Sequence, residues 1–174
     1  MDAVTIAAGA VFSAWAQVDP SRLRFHREVR DLCSQNTCRN YNTSWACPPA
    51  VGSLEDCRER VGQFSRFLLF SKVYPLADSF DLEGMQAGLL DFKDAVDAFD
   101  RQIQPQLHHY LLLSNEGCGR CSQCTWPDAP CRFPEKLHHS LEGYGFIVSE
   151  LANLAGIPYH GGPNTVTFFG ALLY

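Results

Sequence analysis

The sequence predicts an α+β (or α/β) fold, with a small sheet of about four strands packed by helices and two long cysteine-bearing metal loops. Apolar runs of strand length alternate along the chain with segments of helical periodicity. With 174 residues, 46% of them apolar, the chain can bury a sizeable core. We therefore expect a single domain over residues 1–174.

The N-terminal half of the chain predicts two strands and a helix. Residues 10–17 are an apolar run that indicates a strand, with coil before it. Ser53, with Asp56 three residues later, is a capping-box pattern that opens a helix over about residues 54–65. Residues 66–74 are mostly apolar and indicate a largely buried strand.

The C-terminal half begins with the clearest element in the sequence. Apolar residues recur at spacings of 4, 3, 4, 3 and 4 from Met85 to Ile103, which predicts an amphipathic helix with one face on a core. A strand over residues 109–114, a helix over 143–155 and a closing strand over 165–174 follow. The adjacent histidine pairs 108–109 and 138–139 are expected on the solvated surface.

Charge and the N-terminal segment limit the partners. The formal net charge of −5 and the pI near 5.6 argue against a nucleic-acid or anionic-membrane surface. Residues 4–16 resemble a signal peptide, but the first basic side chain is Arg22, and the run is too short to span a bilayer. We therefore expect a cytoplasmic protein, in which reduced thiols bind metal rather than form disulfides.

The second cysteine region, residues 117–134, carries the more specific metal signal. Cys118, Cys121 and Cys124 are three residues apart, and Cys131 follows seven residues later. Three thiolates at this spacing suit a cubane cluster, in which each ligand binds a different iron, although the fourth spacing is a variant of the ferredoxin pattern. Structural zinc sites usually use two separated cysteine or histidine pairs. The region predicts a [4Fe–4S] cluster, with zinc and a chance or disulfide cluster as the alternatives.

The first cysteine region, residues 33–57, contains Cys33, Cys38, Cys47 and Cys57. Its spacing is a weak signal alone, but eight cysteines that divide four and four indicate two four-ligand sites. We therefore predict two [4Fe–4S] clusters, or alternatively two zinc ions. Cys57 falls on a predicted helix, where the alternative to a ligand is a small buried side chain. An exchange of Cys57 and Cys131 between the sites stays open.

Four further side chains are predicted to surround the clusters. Arg120 lies within the second ligand loop and Arg132 follows its last cysteine, while Tyr41 and Trp45 lie between cysteines of the first region. A guanidinium group beside an anionic cluster favours the reduced form and raises the reduction potential.

The combined motifs resemble the predicted metal-binding proteins of domain-of-unknown-function family 2284 over nearly the whole chain. The early motif is matched by Cys33, Cys38, Tyr41, Trp45, Cys47, Pro48, Pro49 and Cys57. The late motif is matched by Gly117, Cys118, Cys121, Cys124, Cys131, Arg132, Pro134, Ser140, Glu142 and Gly145. The resemblance implies a cysteine-rich, iron–sulfur metalloprotein of a kind common in anaerobes, without an assigned reaction.

Three functions follow from these observations. The first is an electron carrier or electron-transfer subunit that meets a redox partner protein. The second is an iron–sulfur redox enzyme that binds a small substrate or cofactor, with residues 140–145 and 159–164 as pocket walls. The third is a two-zinc structural or interaction module. The sequence offers no nucleophile–base pair and no nucleotide motif, so it assigns no catalytic residue.

Overall fold

The computed structural model describes residues 2–115 and 117–174 and, within them, five α-helices and a five-stranded mixed sheet. The α+β class is thereby confirmed, with one strand more than the four expected. The strands are β1 (Ala14–Val18), β2 (Phe67–Pro75), β3 (Leu111–Ser114), β4 (His139–Ser140) and β5 (Thr165–Leu173). The helices are α1 (Ala3–Val11), α2 (Arg27–Ser34), α3 (Leu54–Val61), α4 (Leu82–Ile103) and α5 (Val148–Ala155).

The sheet has the order β1-β2-β5-β3-β4, in which only the β3–β4 pair is parallel. Alternate residues of β2 enter two separate apolar clusters: Phe67 and Leu69 face one, and Leu68 and Phe70 face the other. α3 and α5 contribute to the first cluster, and α1 and α4 to the second. Because both faces of the sheet are covered, its long strands are continuous apolar runs rather than alternating ones.

Two sequence signals for helices are confirmed. Ser53 accepts a hydrogen bond from the Asp56 backbone while the Asp56 side chain accepts one from Ser53, so the capping box that opens α3 is complete. The apolar stripe predicted from Met85 lies on α4, where Phe92, Val96 and Phe99 are fully buried.

The N-terminal prediction is wrong in part, because α1 precedes the strand where coil was expected. The Asp2 carboxylate accepts a hydrogen bond from the Thr5 backbone at 2.9 Å and caps this helix. Its alanines favour helix and pack closely, and Val4, Ala7 and Ala8 are buried. α2 was also not predicted, although it carries Cys33.

The helix predicted over residues 143–155 is two elements. A short 3₁₀ helix over Glu142–Tyr144 ends at Gly145, whose φ of 78° lies in the left-handed region, and α5 begins only at Val148. The histidine prediction is also wrong for His138, which precedes β4 and is only 8% exposed.

The described helices are too short or too polar to span a bilayer. Within residues 2–115 and 117–174, none combines the length and apolar character needed to cross a membrane.

Candidate metal centres

The second cysteine region leaves the sheet at a fixed point. The backbone N–H of Asn115 donates to the Phe169 carbonyl at 2.9 Å, and the Asn115 side-chain oxygen accepts from the Phe169 N–H at 2.9 Å. The Lys93 ammonium group, buried on α4, donates to the Ser114 hydroxyl at 2.8 Å. The end of β3, just before the second cysteine region, is therefore hydrogen-bonded to both β5 and α4.

All four cysteines of the second region line one cavity of about 310 Å³, here called the four-cysteine cavity: Cys118, Cys121, Cys124 and Cys131. All four are half-buried. The cavity volume corresponds to roughly ten water molecules at ~30 Å³ each, so it has room for a multi-atom group rather than one ion. Four thiol donors around such a space fit a [4Fe–4S] cluster.

Three cysteines of the first region line a neighbouring cavity of about 380 Å³, here called the three-cysteine cavity: Cys33, Cys38 and Cys47. Cys33 projects from α2, whereas Cys38 and Cys47 lie in the loop that follows it. The Glu142 side chain, from the short 3₁₀ helix, also lines this cavity. The donor set on its walls is thus three thiols and one carboxylate.

Cys57 does not line either cavity. It lies on α3, is fully buried and belongs to the apolar cluster that includes Val51 and Tyr144. Its thiol donates weak hydrogen bonds to the carbonyls of Val51, at 3.8 Å, and Gly143, at 3.9 Å. The structure therefore places three of the four predicted ligands of the first region together and the fourth in the core.

Burial and nearby negative charge favour the neutral form of two thiols in the three-cysteine cavity, those of Cys33 and Cys47. Burial, the Glu142 carboxylate and Cys38 raise the pKa of Cys33, against a smaller lowering by Arg30. Burial raises the pKa of Cys47 to about 12, and a hydrogen bond with Ser140 works in the opposite direction. A cation bound in the cavity would reverse this preference, because it stabilises thiolates and carboxylate together.

The two cavities share a wall. Asn40 lines both of them, and Gly117, which lines the three-cysteine cavity, directly precedes Cys118. A Cβ atom on Gly117 would come within 2.5 Å of the Asn40 side-chain oxygen. Glycine at this position therefore lets the backbone of one ligand loop lie directly against a side chain of the other.

Two tryptophans connect the ligand loops through a ring contact and two hydrogen bonds. The rings of Trp45 and Trp126 meet edge to face at 4.7 Å. The Trp45 indole N–H donates to the Ala129 carbonyl at 3.1 Å, and the Trp126 indole N–H donates to the Asn42 side-chain oxygen at 3.0 Å. Each indole thus crosses from its own loop to the opposite one.

The side chains predicted to surround the clusters all lie at a cavity. Tyr41 lines the three-cysteine cavity, and Trp45, Arg120 and Arg132 line the four-cysteine cavity. The guanidinium of Arg120 forms a buried two-pronged ion pair with Asp97 on α4, at 2.8 and 2.6 Å. Arg132 is exposed and donates to the Gln123 carbonyl at 2.8 Å.

The possible metal ligands lie around the cavities and do not converge on a single point in the described residues. Among residues 2–115 and 117–174, no three His, Cys, Asp or Glu side chains form a group that could hold a metal ion. The thiols instead surround the two cavities.

Sequence reasoning did not identify three residues that shape these sites. Glu142 belongs to the late motif, where nothing in its spacing distinguishes it from a solvated surface carboxylate. Asn40 carries no signal beyond its position between Cys38 and Cys47. Asp97 lies beside the apolar stripe of α4 and resembles an ordinary solvated helix residue, although it is 7% exposed.

A family model described as "Predicted metal-binding protein (DUF2284)" matches residues 16–174. The match includes all eight cysteines and both cavities. No curated protein and no solved structure matches the chain significantly.

Proposed function

The chain belongs to the DUF2284 family of predicted metal-binding proteins, and we propose that it is an iron–sulfur protein for electron transfer. In this proposal each of the two adjoining cavities holds a [4Fe–4S] cluster. A redox partner protein meets the chain near the cavities.

The observation that carries the proposal is the distribution of the cysteines. Seven of the eight line two cavities that share Asn40 as a wall. A protein that needed the thiols only as small buried side chains would scatter them through its core, as Cys57 is placed here. Two adjoining thiol-lined cavities support two metal groups held close together.

The donor types and the cavity sizes favour clusters over single ions. Thiolate is a soft ligand that suits zinc and iron–sulfur clusters, so ligand type alone leaves both metals open. A single zinc ion needs four donors about 2.3 Å from one point. Cavities of about 310 and 380 Å³ fit a larger group better, because it separates its ligands over a cage.

A bound [4Fe–4S] cluster supplies one-electron redox chemistry, with a potential set by charge, hydrogen bonding and exposure. The chain's own residues hold each cavity partly out of water and fix the loops through the Trp45–Trp126 contact. Leu32, 62% exposed, and Phe133, 43% exposed, lie at the rims of the three-cysteine and four-cysteine cavities. Exposed apolar side chains at both rims support transient docking of a partner protein.

Iron and acid-labile sulfide measured on protein purified without oxygen test this function. We expect about eight irons and about eight sulfides per chain for two cubane clusters. Electron paramagnetic resonance of the fully reduced protein should show signals broadened by interaction between two neighbouring paramagnets. Half-reduced protein should show narrower, separate signals.

Zinc analysis of the same sample supplies the opposing result. About one zinc per cysteine group with no sulfide would refute the electron-transfer proposal and favour the two-zinc module. Partial metal loss during purification is controlled by reconstitution with iron and sulfide under a reductant before the measurement.

A further inference from the structure

We propose that Glu142, and not Cys57, supplies the fourth ligand to the cluster in the three-cysteine cavity, an assignment that rests on the proposed function. The four-cysteine cavity has its full set of thiols. The neighbouring cavity has three, and its remaining acidic donor is a carboxylate.

Glu142 is anchored to the same backbone as Cys47. The Ser140 N–H donates to the carbonyl of Ala46, the residue before Cys47, at 2.8 Å. The Gly143 N–H in turn donates to the Ser140 hydroxyl at 3.0 Å, which fixes the first turn of the 3₁₀ helix. The carboxylate is thus presented to the cavity from a short rigid segment bonded to the ligand loop.

Cys33 is anchored to that segment as well. Arg30, one turn before Cys33 on α2, donates to the Gly143 carbonyl at 2.8 Å and to the Gly52 carbonyl at 2.8 Å. Glu142, Cys33 and Cys47 line the same cavity. The carboxylate and two of the thiols are therefore held in one hydrogen-bonded frame.

Cys57 has a different role in the fold. Its side chain is fully buried against Val51 and Gly143, and its thiol donates to their carbonyls. Moving the sulfur into the cavity would empty a core position, which is unfavourable. The two carbonyls would keep their arginine donors, Arg30 at Gly143 and Arg60 at Val51. Glu142 already lines the cavity.

A carboxylate ligand makes one iron of the cluster different from the other three. Carboxylate oxygen is harder than thiolate sulfur and holds cluster iron less firmly. We therefore expect one iron of this cluster to leave more readily than the other three. The balanced reaction with ferricyanide is [4Fe–4S]²⁺ + [Fe(CN)₆]³⁻ → [3Fe–4S]⁺ + Fe²⁺ + [Fe(CN)₆]⁴⁻, in which the cluster loses one Fe²⁺ and one electron.

The test compares wild type with Cys57→Ser, Cys57→Ala and Glu142→Gln, all purified without oxygen. Serine keeps a hydrogen-bond donor of similar size in the core, and alanine cannot bind iron. Both Cys57 variants should keep about eight irons and eight sulfides per chain. Glu142→Gln should lose about one iron and keep its sulfide, because the amide is a poorer ligand than the carboxylate.

Limited ferricyanide oxidation provides a second readout. Wild type and Cys57→Ser should each release about one iron per chain and show the signal of a three-iron cluster. Glu142→Gln, which has already lost that Fe²⁺ and holds [3Fe–4S]⁰, should be oxidised by one electron to the same signal without releasing further iron. Glu59→Gln is the matched control, since this exposed carboxylate on α3 lines neither cavity, and the variant should release about one iron per chain as wild type does.

The assignment is overturned if Glu142→Gln matches wild type in iron content, iron release and spectrum. It is also overturned if the Cys57 variants lose about half of their iron and sulfide while circular dichroism shows an intact fold. If both Cys57 variants fail to fold, Glu142→Gln alone decides between the two outcomes. Wild-type protein without sulfide would instead refute the proposed function itself.

Discussion

Arg120 shows how a single contact changes the electrostatics expected from sequence. An arginine inside a ligand loop was expected to present its positive charge to the cluster. In the structure its guanidinium is paired with Asp97, and the two side chains are 14% and 8% exposed. The pair is close to neutral as seen from the cavity, so the field at the cluster depends on both partners.

The Arg120–Asp97 pair leads to a prediction about the potential of the cluster proposed for the four-cysteine cavity. Arg120→Gln should lower that potential on the order of tens of millivolts, because the Asp97 charge is then uncompensated. Asp97→Asn should raise it, and the double variant should return close to wild type. Redox titration followed by electron paramagnetic resonance measures the three shifts.

Stability and exposure provide the controls for this cycle. Removing one partner leaves the other partly buried charge unpaired, so each single variant should also unfold at a lower temperature than wild type. Arg132→Gln removes a charge at the same cavity, but that side chain is exposed and screened by solvent, so its shift should be smaller. Equal potentials in wild type and both single variants would show that neither charge acts on the cluster.

At the scale of elements, apolar periodicity in the sequence predicted the helices and strands whose own residues face a core. α4 shows helical periodicity because one of its faces packs on the sheet. β2 and β5 are apolar runs because both faces of the sheet are covered. α1 and α2 could not be recognised in this way. α1 resembles a strand because its alanines mix with Val4, Thr5 and Ile6. α2 is only eight residues long, so its apolar face, Val29, Leu32 and Cys33, is too short to give a clear periodic signal.

The sequence predicted the type of ligand at the candidate sites, but it did not fully predict which residues line each cavity. The cysteine spacing identified the four donors that the structure brings to one cavity. The exclusion of Cys57 depends on α3 packing into the core, and the entry of Glu142 depends on the pairing of β4 with β3. Both are long-range contacts, which spacing along the chain does not report.

The capping box of α3 gives a prediction that separates fold from metal binding. Ser53→Ala removes the side chain that accepts from the Asp56 backbone and should cost about 1 kcal/mol, or about 2–4 °C in Tm for a chain of this size. The iron content should not change, because Cys57, the cysteine on α3, lines neither cavity. Thermal denaturation and iron analysis of the same preparation check both parts.

Ser79→Ala is the matched control, since Ser79 is exposed and lies outside the helices. It should leave both Tm and iron content at the wild-type values. A Ser53→Ala protein that loses about half of its iron would instead return Cys57 to the ligand set.

On the scale of the whole molecule, the sheet core and the ligand loops are stabilised by different interactions. The two apolar clusters cover both faces of the sheet and, among the described residues, contain no cysteine of the second region. That region has no long helix or strand and depends on loop hydrogen bonds and the indole contact. Metal binding in such loops contributes directly to their folding free energy.

Cys121→Ala tests this division of the molecule. The variant should have a lower Tm and lower solubility than wild type, because residues 117–134 lose the ligand that orders them and expose apolar surface such as Trp126. Amide exchange should become fast in that segment while β2 and β5 stay protected, since their pairing is buried between the two apolar clusters. Hydrogen exchange measured by mass spectrometry resolves the two regions. Loss of protection throughout β2 and β5 would mean that the cluster supports the entire fold, and an unchanged Tm would mean that the second site contributes nothing to stability.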